Sequence, residues 1–268
     1  MRILCAIGLA FVIVLSAACI IPVFFDPESG TWTASLEKFH KVVSLGPGGA
    51  LSLENTSGDV EIRGWDQEDV EITAEKDQPG DYQERRRWRF YGQGEAKPHV
   101  EVEEFDRLIK IKAGSEEDEN ARPVHFVINV PHSINLTDIR INRGQVHIAD
   151  VYGTARVELD EGDITVENFS GSLDLTLVRG SAEAEVLDLR KDDEVKITTR
   201  EGHITLSLQP EVSVRLEASA PNGEISSEFD LGQDLSAKKV SAEIGKAEAA
   251  AHLTTLNGDI RLYKVRSL

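Results

Sequence analysis

The sequence predicts an all-β fold: a β-helix-like solenoid of short stacked strands with glycine turns, preceded by an N-terminal signal or anchor segment. Three observations predict it. Glycine recurs at a fixed interval, the residues between glycines alternate apolar and polar, and the alternation keeps its phase from one unit to the next.

Gly144, Gly153, Gly162, Gly171 and Gly180 are spaced by 9 residues each time, and a fixed short period is the mark of a repeat architecture. Between them lie the stretches 145–149, 155–159, 163–167 and 172–177, each with the two-residue period of a half-buried strand. Val146 and Ile148 recur 18 residues later as Ile164 and Val166, and again as Ala182 and Ala184; Val157 recurs as Leu175. A slip of one residue would turn every apolar side chain to solvent. Constant phase therefore puts equivalent positions on one shared interior, which each unit is too small to form alone.

The pattern continues on both sides. Upstream, 51–62 has the same shape, and 253–262 repeats it near the other end. Val195, Ile197 and Thr199 precede Gly202; Ile204, Leu206 and Leu208 precede Pro210; Val212, Val214, Leu216 and Ala218 precede Gly223. Residues 235–252 are rich in Ala, Lys and Glu and have helical propensity. The alternation through Val240, Ala242 and Ile244 favours strands there. Residues 100–112 read as a hairpin around Asp106-Arg107, 81–89 as a helical turn or edge strand, and 115–120 as a solvated loop. Asp59, Asp163 and Asp259 follow glycines and read as turn residues that bond local backbone amides.

The N-terminus has a different character. Arg2 is followed by a 13-residue apolar stretch, Ile3 to Leu15, as in an export signal. Small residues then precede Cys19, in the manner of a lipobox whose cysteine is lipidated and becomes the mature N-terminus, although Ser16 stands where that pattern favours Leu. On this reading 1–18 is a lipoprotein-type signal peptide, 19–37 a linker and 38–268 the β-helix-like domain. Two alternatives stay open. Residues 3–25 are an uncharged run of 23, long enough for an uncleaved membrane anchor, and plain secretion fits the same segment. All three place the acidic body outside the cytoplasm.

Composition bounds the partners. Lys+Arg is 29 and Asp+Glu is 47, a net charge of −18. Such a field argues against nucleic acid and against adsorption to anionic lipid, and favours cations or basic partner surfaces. The only cysteines, Cys5 and Cys19, lie in the leader. The body therefore has no disulfide, thiolate metal site or cysteine nucleophile.

The order of motifs resembles a known family. Residues 55–65 (Asn-Thr-Ser-Gly-Asp-Val-Glu-Ile-Arg-Gly-Trp), then Val70-Glu-Ile-Thr-Ala74, resemble the opening of the bacterial putative-adhesin family, also called the toastrack domain. Phe126-Val-Ile-Asn-Val-Pro131 resembles a strand of that family, and Glu161-Gly-Asp-Ile164 and Asn257-Gly-Asp-Ile260 resemble its remaining rungs. The likeness covers about 38–268. It implies an all-β, β-helix-like domain, usually at the bacterial envelope, sometimes beside envelope-stress sensing modules, with no catalytic motif. Arg143-Gly-Gln-Val146, Arg179-Gly-Ser-Ala182 and Arg200-Glu-Gly-His203 depart from the rung pattern. A row of Asp ligands would be broken at these units.

Candidate chemistry is sparse. His40, His99, His125, His132, His147, His203 and His252 show no His-x-His or His-x-x-x-His spacing, so no metal is expected. Each turn has a single glycine, unlike calcium-binding β-rolls. Asp160, Glu161 and Asp163, with Arg156 and Arg179 nearby in the repeat, are the carboxylates that a polysaccharide-active enzyme would use. Trp65 reads as a cap on the first rung of the core, and Trp88 lies in the one basic cluster, Arg85 to Arg89. The leading expectation is a non-enzymatic, cofactor-free binding or scaffold module at the envelope, held to the membrane by its N-terminus and facing an envelope protein or glycan. A polysaccharide-active enzyme and an envelope-stress sensing subunit are the alternatives.

Overall fold

The computed structural model describes residues 38–46, 48–76, 100–114, 123–232 and 237–265, and the backbone alone of 23–26 and 31–34. The leader with Cys5 and Cys19, the 81–89 segment with Trp88 and its arginines, His99 and the 115–120 loop lie outside the described residues. All regular elements among the described residues are strands. The early strands are β1 (Val23–Asp26), β2 (Thr31–Ala34), β3 (Lys38–Ser44), β4 (Ala50–Ser57), β5 (Val60–Trp65), β6 (Asp69–Lys76), β7 (Val100–Phe105), β8 (Leu108–Ala113) and β9 (Val124–Pro131). The central strands are β10 (Asn135–Arg143), β11 (Val146–Ala149), β12 (Tyr152–Glu161), β13 (Ile164–Arg179), β14 (Ala182–Asp188), β15 (Glu194–Glu201) and β16 (Ile204–Leu208). The last are β17 (Val214–Ser219), β18 (Ile225–Ser227), β19 (Lys239–Ile244), β20 (Ala249–Asn257) and β21 (Ile260–Lys264).

Each coil contributes one strand to each of two faces, and like strands pair in parallel. On face A the parallel run is β8, β4, β10, β12, the second half of β13, β15, β20 and β17. On face B it is β9, β5, β11, the first half of β13, β14, β16, β21 and β18. The 18-residue phase appears directly as register: Val146 pairs with Ile164, Ile164 with Ala182, and Val157 with Leu175. The inward columns are buried. Val60, Ile62, Ile148, Val157, Ile164, Leu175, Ile197, Leu206 and Leu253 are all within 1% of full burial. The described part of the 235–252 region, 237–252, contains β19 and the start of β20, and 100–113 is the antiparallel hairpin β7–β8, as their sequences predict.

The order of coils departs from the order of the chain at both ends. The β4–β5 coil sits between β8–β9 and β10–β11, although β8 and β9 come later in sequence. The β20–β21 coil likewise sits between β15–β16 and β17–β18. Antiparallel strands then close the ends: β6 and β3 beyond β9, β7 with β2 and β1 beyond β8, and β19 beyond β17. Covering end strands with antiparallel neighbours limits the open edge that a parallel stack would present.

One corner holds the coils together. Gly58, Gly144, Gly162, Gly180, Gly202 and Gly258 all have positive φ, at +121° to +155°. A Cβ on Gly162 would lie 1.7 Å from the Gly144 carbonyl oxygen, and one on Gly180 would lie 1.7 Å from the Gly162 oxygen. The residue after each glycine adds a second ladder. Asp59 Oδ1 accepts the Gln145 amide at 2.9 Å, Asp163 Oδ1 the Ser181 amide at 2.8 Å, and Asp259 Oδ1 the Glu224 amide at 3.0 Å. These amides are 86, 18 and 35 residues away, so the aspartates join coils and do not bond their own turns as the sequence predicts. Where the Asp is missing, another acceptor serves. His125 Nδ1 takes the Asp59 amide at 3.1 Å, His203 Nδ1 the Asp259 amide at 3.0 Å, and Ser181 Oγ the His203 amide at 3.4 Å. Inside the corner, Thr199 and Thr255 donate to the Gly180 and Gly202 carbonyls at 3.2 and 2.8 Å.

Two measurements test the corner. Gly162→Ala combines forced positive φ with overlap on backbone and should cost about 3 kcal/mol or more in urea unfolding. Gly232→Ala, at φ +63° with no atom within 4 Å of the added Cβ, should cost about 1 kcal/mol. Asp163→Ala should cost about 1 kcal/mol, and Asp163→Asn, which keeps an acceptor oxygen, markedly less.

Candidate binding surfaces

Outward side chains on the two faces are arranged differently because the register sets which charges become neighbours. On face A most charges are paired between and within coils, exposed Asp160 and Arg200 being exceptions among the described residues. Glu54 lies 3.8 Å from Lys110 and 3.6 Å from Lys112; Arg140 lies 3.0 Å from Asp138 and 3.3 Å from Glu158; Arg156 reaches Glu158 at 3.2 Å. Lys196 faces Asp174 at 4.0 Å, and His252 lies between Glu194 and Glu217 at 4.0 and 3.6 Å. At the corner, Glu161 is held between Arg143 at 3.3 Å and Arg179 at 3.7 Å.

Face B carries an acidic trough. Two shallow, adjoining depressions of about 310 and 380 Å³ share Thr165 and Glu167. The first is also lined by Asn168, Glu183, Glu185 and Ser207, the second by His147 and Asp163. His147 bridges Glu61 at 3.6 Å and Glu167 at 3.4 Å. Among the described residues, the side chains of Glu183 and Glu185 have no hydrogen bond or ion pair. The same set contains no group of three or more His, Cys, Asp or Glu arranged to hold a metal.

The sequence-singled carboxylates are dispersed among these roles. Glu161 belongs to the corner ion ladder, and Asp163 to the amide ladder while also lining the trough. Arg156 serves Glu158, and Arg179 serves Glu161. Trp65 is half-buried at the end of β5 opposite Pro131, and its indole N–H donates to the Asp69 carbonyl at 2.8 Å. It closes its own loop and does not cap the first rung, since β4–β5 is the second coil in space. Sequence reasoning missed a regularity among the histidines. His40, His125, His132, His147, His203 and His252 each lie within 4.0 Å of a carboxylate oxygen. The partners are mostly remote in sequence, so no short spacing announces them.

At the capped end of face B, His40 Nε2 donates to Glu71 at 2.9 Å and Asn129 Nδ2 donates to it at 2.8 Å. The His40 bond first, and then the Asn129 bond, hold the Glu71 carboxyl below the usual carboxylate range against the opposing effect of burial. A lowered folded value means that the ionised group stabilises the fold above the unfolded value of about 4.3, and that this stability is lost as pH falls through the folded value. Wild type should thus lose more stability than Glu71→Gln when urea unfolding is compared at pH 7 and pH 3. Parallel losses in the two proteins would remove Glu71 from the account.

Residues 48–263 match the family model described as Toastrack DUF4097. Among solved structures, a putative cell adhesion protein from Clostridium sporogenes is 14% identical, with 85% of this chain and 99% of that chain covered and a TM-score of 0.49. A putative adhesin from Bacteroides fragilis is 13% identical, with 85% and 97% covered and a TM-score of 0.32. A putative lipid binding protein from Parabacteroides distasonis is 10% identical, with 86% and 97% covered and a TM-score of 0.24. None of the curated proteins matches this chain.

Proposed function

From the premise that this chain belongs to the toastrack family, we propose that it is a non-enzymatic binding or scaffold module, exported and attached to the bacterial cell envelope. The observation that carries the reading is the contrast between the faces. Face A pairs Arg140 with Glu158 and Lys196 with Asp174 across coils, whereas face B leaves the neighbouring Glu183 and Glu185 without a described partner beside two shallow depressions. Uncompensated like charges at neighbouring positions raise the energy of a strand surface. A partner that covers them relieves that cost, and a long regular stack offers an extended surface for it. The polysaccharide-active alternative draws less support, because Glu161 and Asp163 are occupied in holding coils together. Catalytic carboxylates need freedom to change protonation at a shared centre.

Attachment rests on the N-terminal sequence, with Cys19 as the lipidated residue and the 3–25 run as the alternative anchor. Mass spectrometry of the membrane-extracted protein should find an acylated Cys19 as the first residue. Retention of Met1 would instead establish the anchor, and an unacylated, freely released chain would end the membrane-attached reading. Crosslinking on intact cells should trap an envelope partner on face B; adducts confined to face A would reverse the assignment of faces.

A further inference from the structure

Next to the trough, the corner opposite the glycine column carries an exposed aromatic pair. Gly64 makes it possible, since a Cβ there would lie 1.9 Å from the Asp150 carbonyl oxygen and 2.6 Å from His132 Nδ1. The bare backbone lets the His132 imidazole lie across the β5 coil and reach Asp150 in the next. Its Nδ1 is 2.8 Å from the Asp150 carbonyl oxygen. A carbonyl only accepts, so Nδ1 carries the hydrogen and the ring is fixed in place. The ring stacks on Tyr152, with centroids 5.2 Å apart and planes 15° from parallel. Tyr152 is nonetheless 44% exposed, and among the described residues its hydroxyl makes no hydrogen bond. Two carboxylates flank the pair. Asp66 is fully exposed, 3.4 Å from His132 Nε2, and Asp150 accepts the Asn168 amide group at 3.1 Å. Asn168 is also the residue through which this corner meets the trough of Glu167, Glu183 and Glu185. Neither Asp66 nor Asp150 is paired to a lysine or arginine among the described residues. The cation closest along the strand, Arg63, is bonded to Glu61.

We propose that this corner is the anchor point for an arginine-bearing segment of a partner protein. A guanidinium lies on the free face of Tyr152, its N–H groups directed at the Asp66 or Asp150 carboxylate, and the adjoining basic residues run along the trough. An exposed ring beside carboxylates that no lysine or arginine engages among the described residues suits a planar cation, which is held by the ring quadrupole and by the charge together. The net charge of −18 steers basic partners toward the molecule. A neutral sugar ring would use Tyr152 but gain nothing from the surrounding field. The inference rests on the binding-module reading and names the chemistry of its partner.

The test uses the full-length chain in phosphatidylcholine nanodiscs and a fluorescent hexa-arginine peptide, read by anisotropy at two salt concentrations. Hexa-arginine should bind more tightly than hexa-lysine. Tyr152→Leu and Asp66→Asn should each weaken it about ten-fold. Glu243→Gln, an equal charge change on β19 at the far end of the stack, should leave it within about two-fold, as expected for a rim charge remote from the site. Circular dichroism checks the fold of Tyr152→Leu, and Asp66→Asn alters only a fully exposed side chain, so it decides the matter if the first variant unfolds. Equal binding by Tyr152→Leu, or equal weakening by Glu243→Gln, would overturn the proposal in favour of diffuse attraction. Competition by maltohexaose would overturn it in favour of a saccharide platform. An envelope partner that still crosslinks to the Tyr152→Leu protein would overturn this corner and leave the binding-module reading standing.

Discussion

Coils of this protein can approach to strand-pairing distance only if one corner presents bare backbone. A Cβ at Gly162 or Gly180 would occupy the space of the preceding coil's carbonyl oxygen, and the amides of Gly58, Gly144, Gly162, Gly180 and Gly202 donate into the neighbouring coil, as in Gly162 N to the Arg179 oxygen at 3.0 Å. The glycine column therefore sets the stacking distance along this edge. The amide ladder of Asp59, Asp163 and Asp259 depends on it, because a carboxylate one residue past the glycine reaches the next coil's amide only when the coils are that close. The buried columns of Val, Ile and Leu depend on it too, since their register is fixed by the same spacing.

The non-sequential placement of β4–β5 and β20–β21 gives the stack ends that the chain cannot leave by simple unwinding. To free β21, both β16 and β18 must release it. The two inserted coils also carry the related turns Asn55-Thr-Ser-Gly-Asp59 and Asn257-Gly-Asp259. In both, the aspartate side chain accepts from the coil on one side and its amide donates to a histidine of the coil on the other, His125 or His203. Pairings such as Val146 with Val60 span 86 residues, and contacts of that separation slow folding because a long loop closes before they form.

The functional reading grows from the same geometry. Register decides that Arg140 meets Glu158 on face A, and equally that Glu183 and Glu185 meet no cation among the described residues of face B. The surface of a β-helix is a set of columns, and register gathers Glu167, Glu183 and Glu185 into one acidic strip among His147, Thr165, Thr205 and Ser207. That strip ends at the aromatic corner of His132 and Tyr152, where a flat ring and two carboxylates come together.

The sequence by itself determined the fold class, the 18-residue coil, the inward columns and the hairpin at 100–113, because those follow from local periodicity and turn chemistry. The family resemblance was legible for the same reason, in short motifs held in order along the chain. Tertiary structure alone decided which coils touch. The insertion of β4–β5 beside β10–β11 is invisible in a linear pattern, since any coil of the right period can stack on any other. For that reason Asp59, a turn residue by sequence, becomes a link to Gln145, and Glu161, one of a suspected catalytic trio, becomes the middle of an arginine ladder. His132, Asp66 and Tyr152 come from three separate stretches of chain, and no spacing rule joins them. Only the backbone passing bare at Gly64 brings their side chains to one corner.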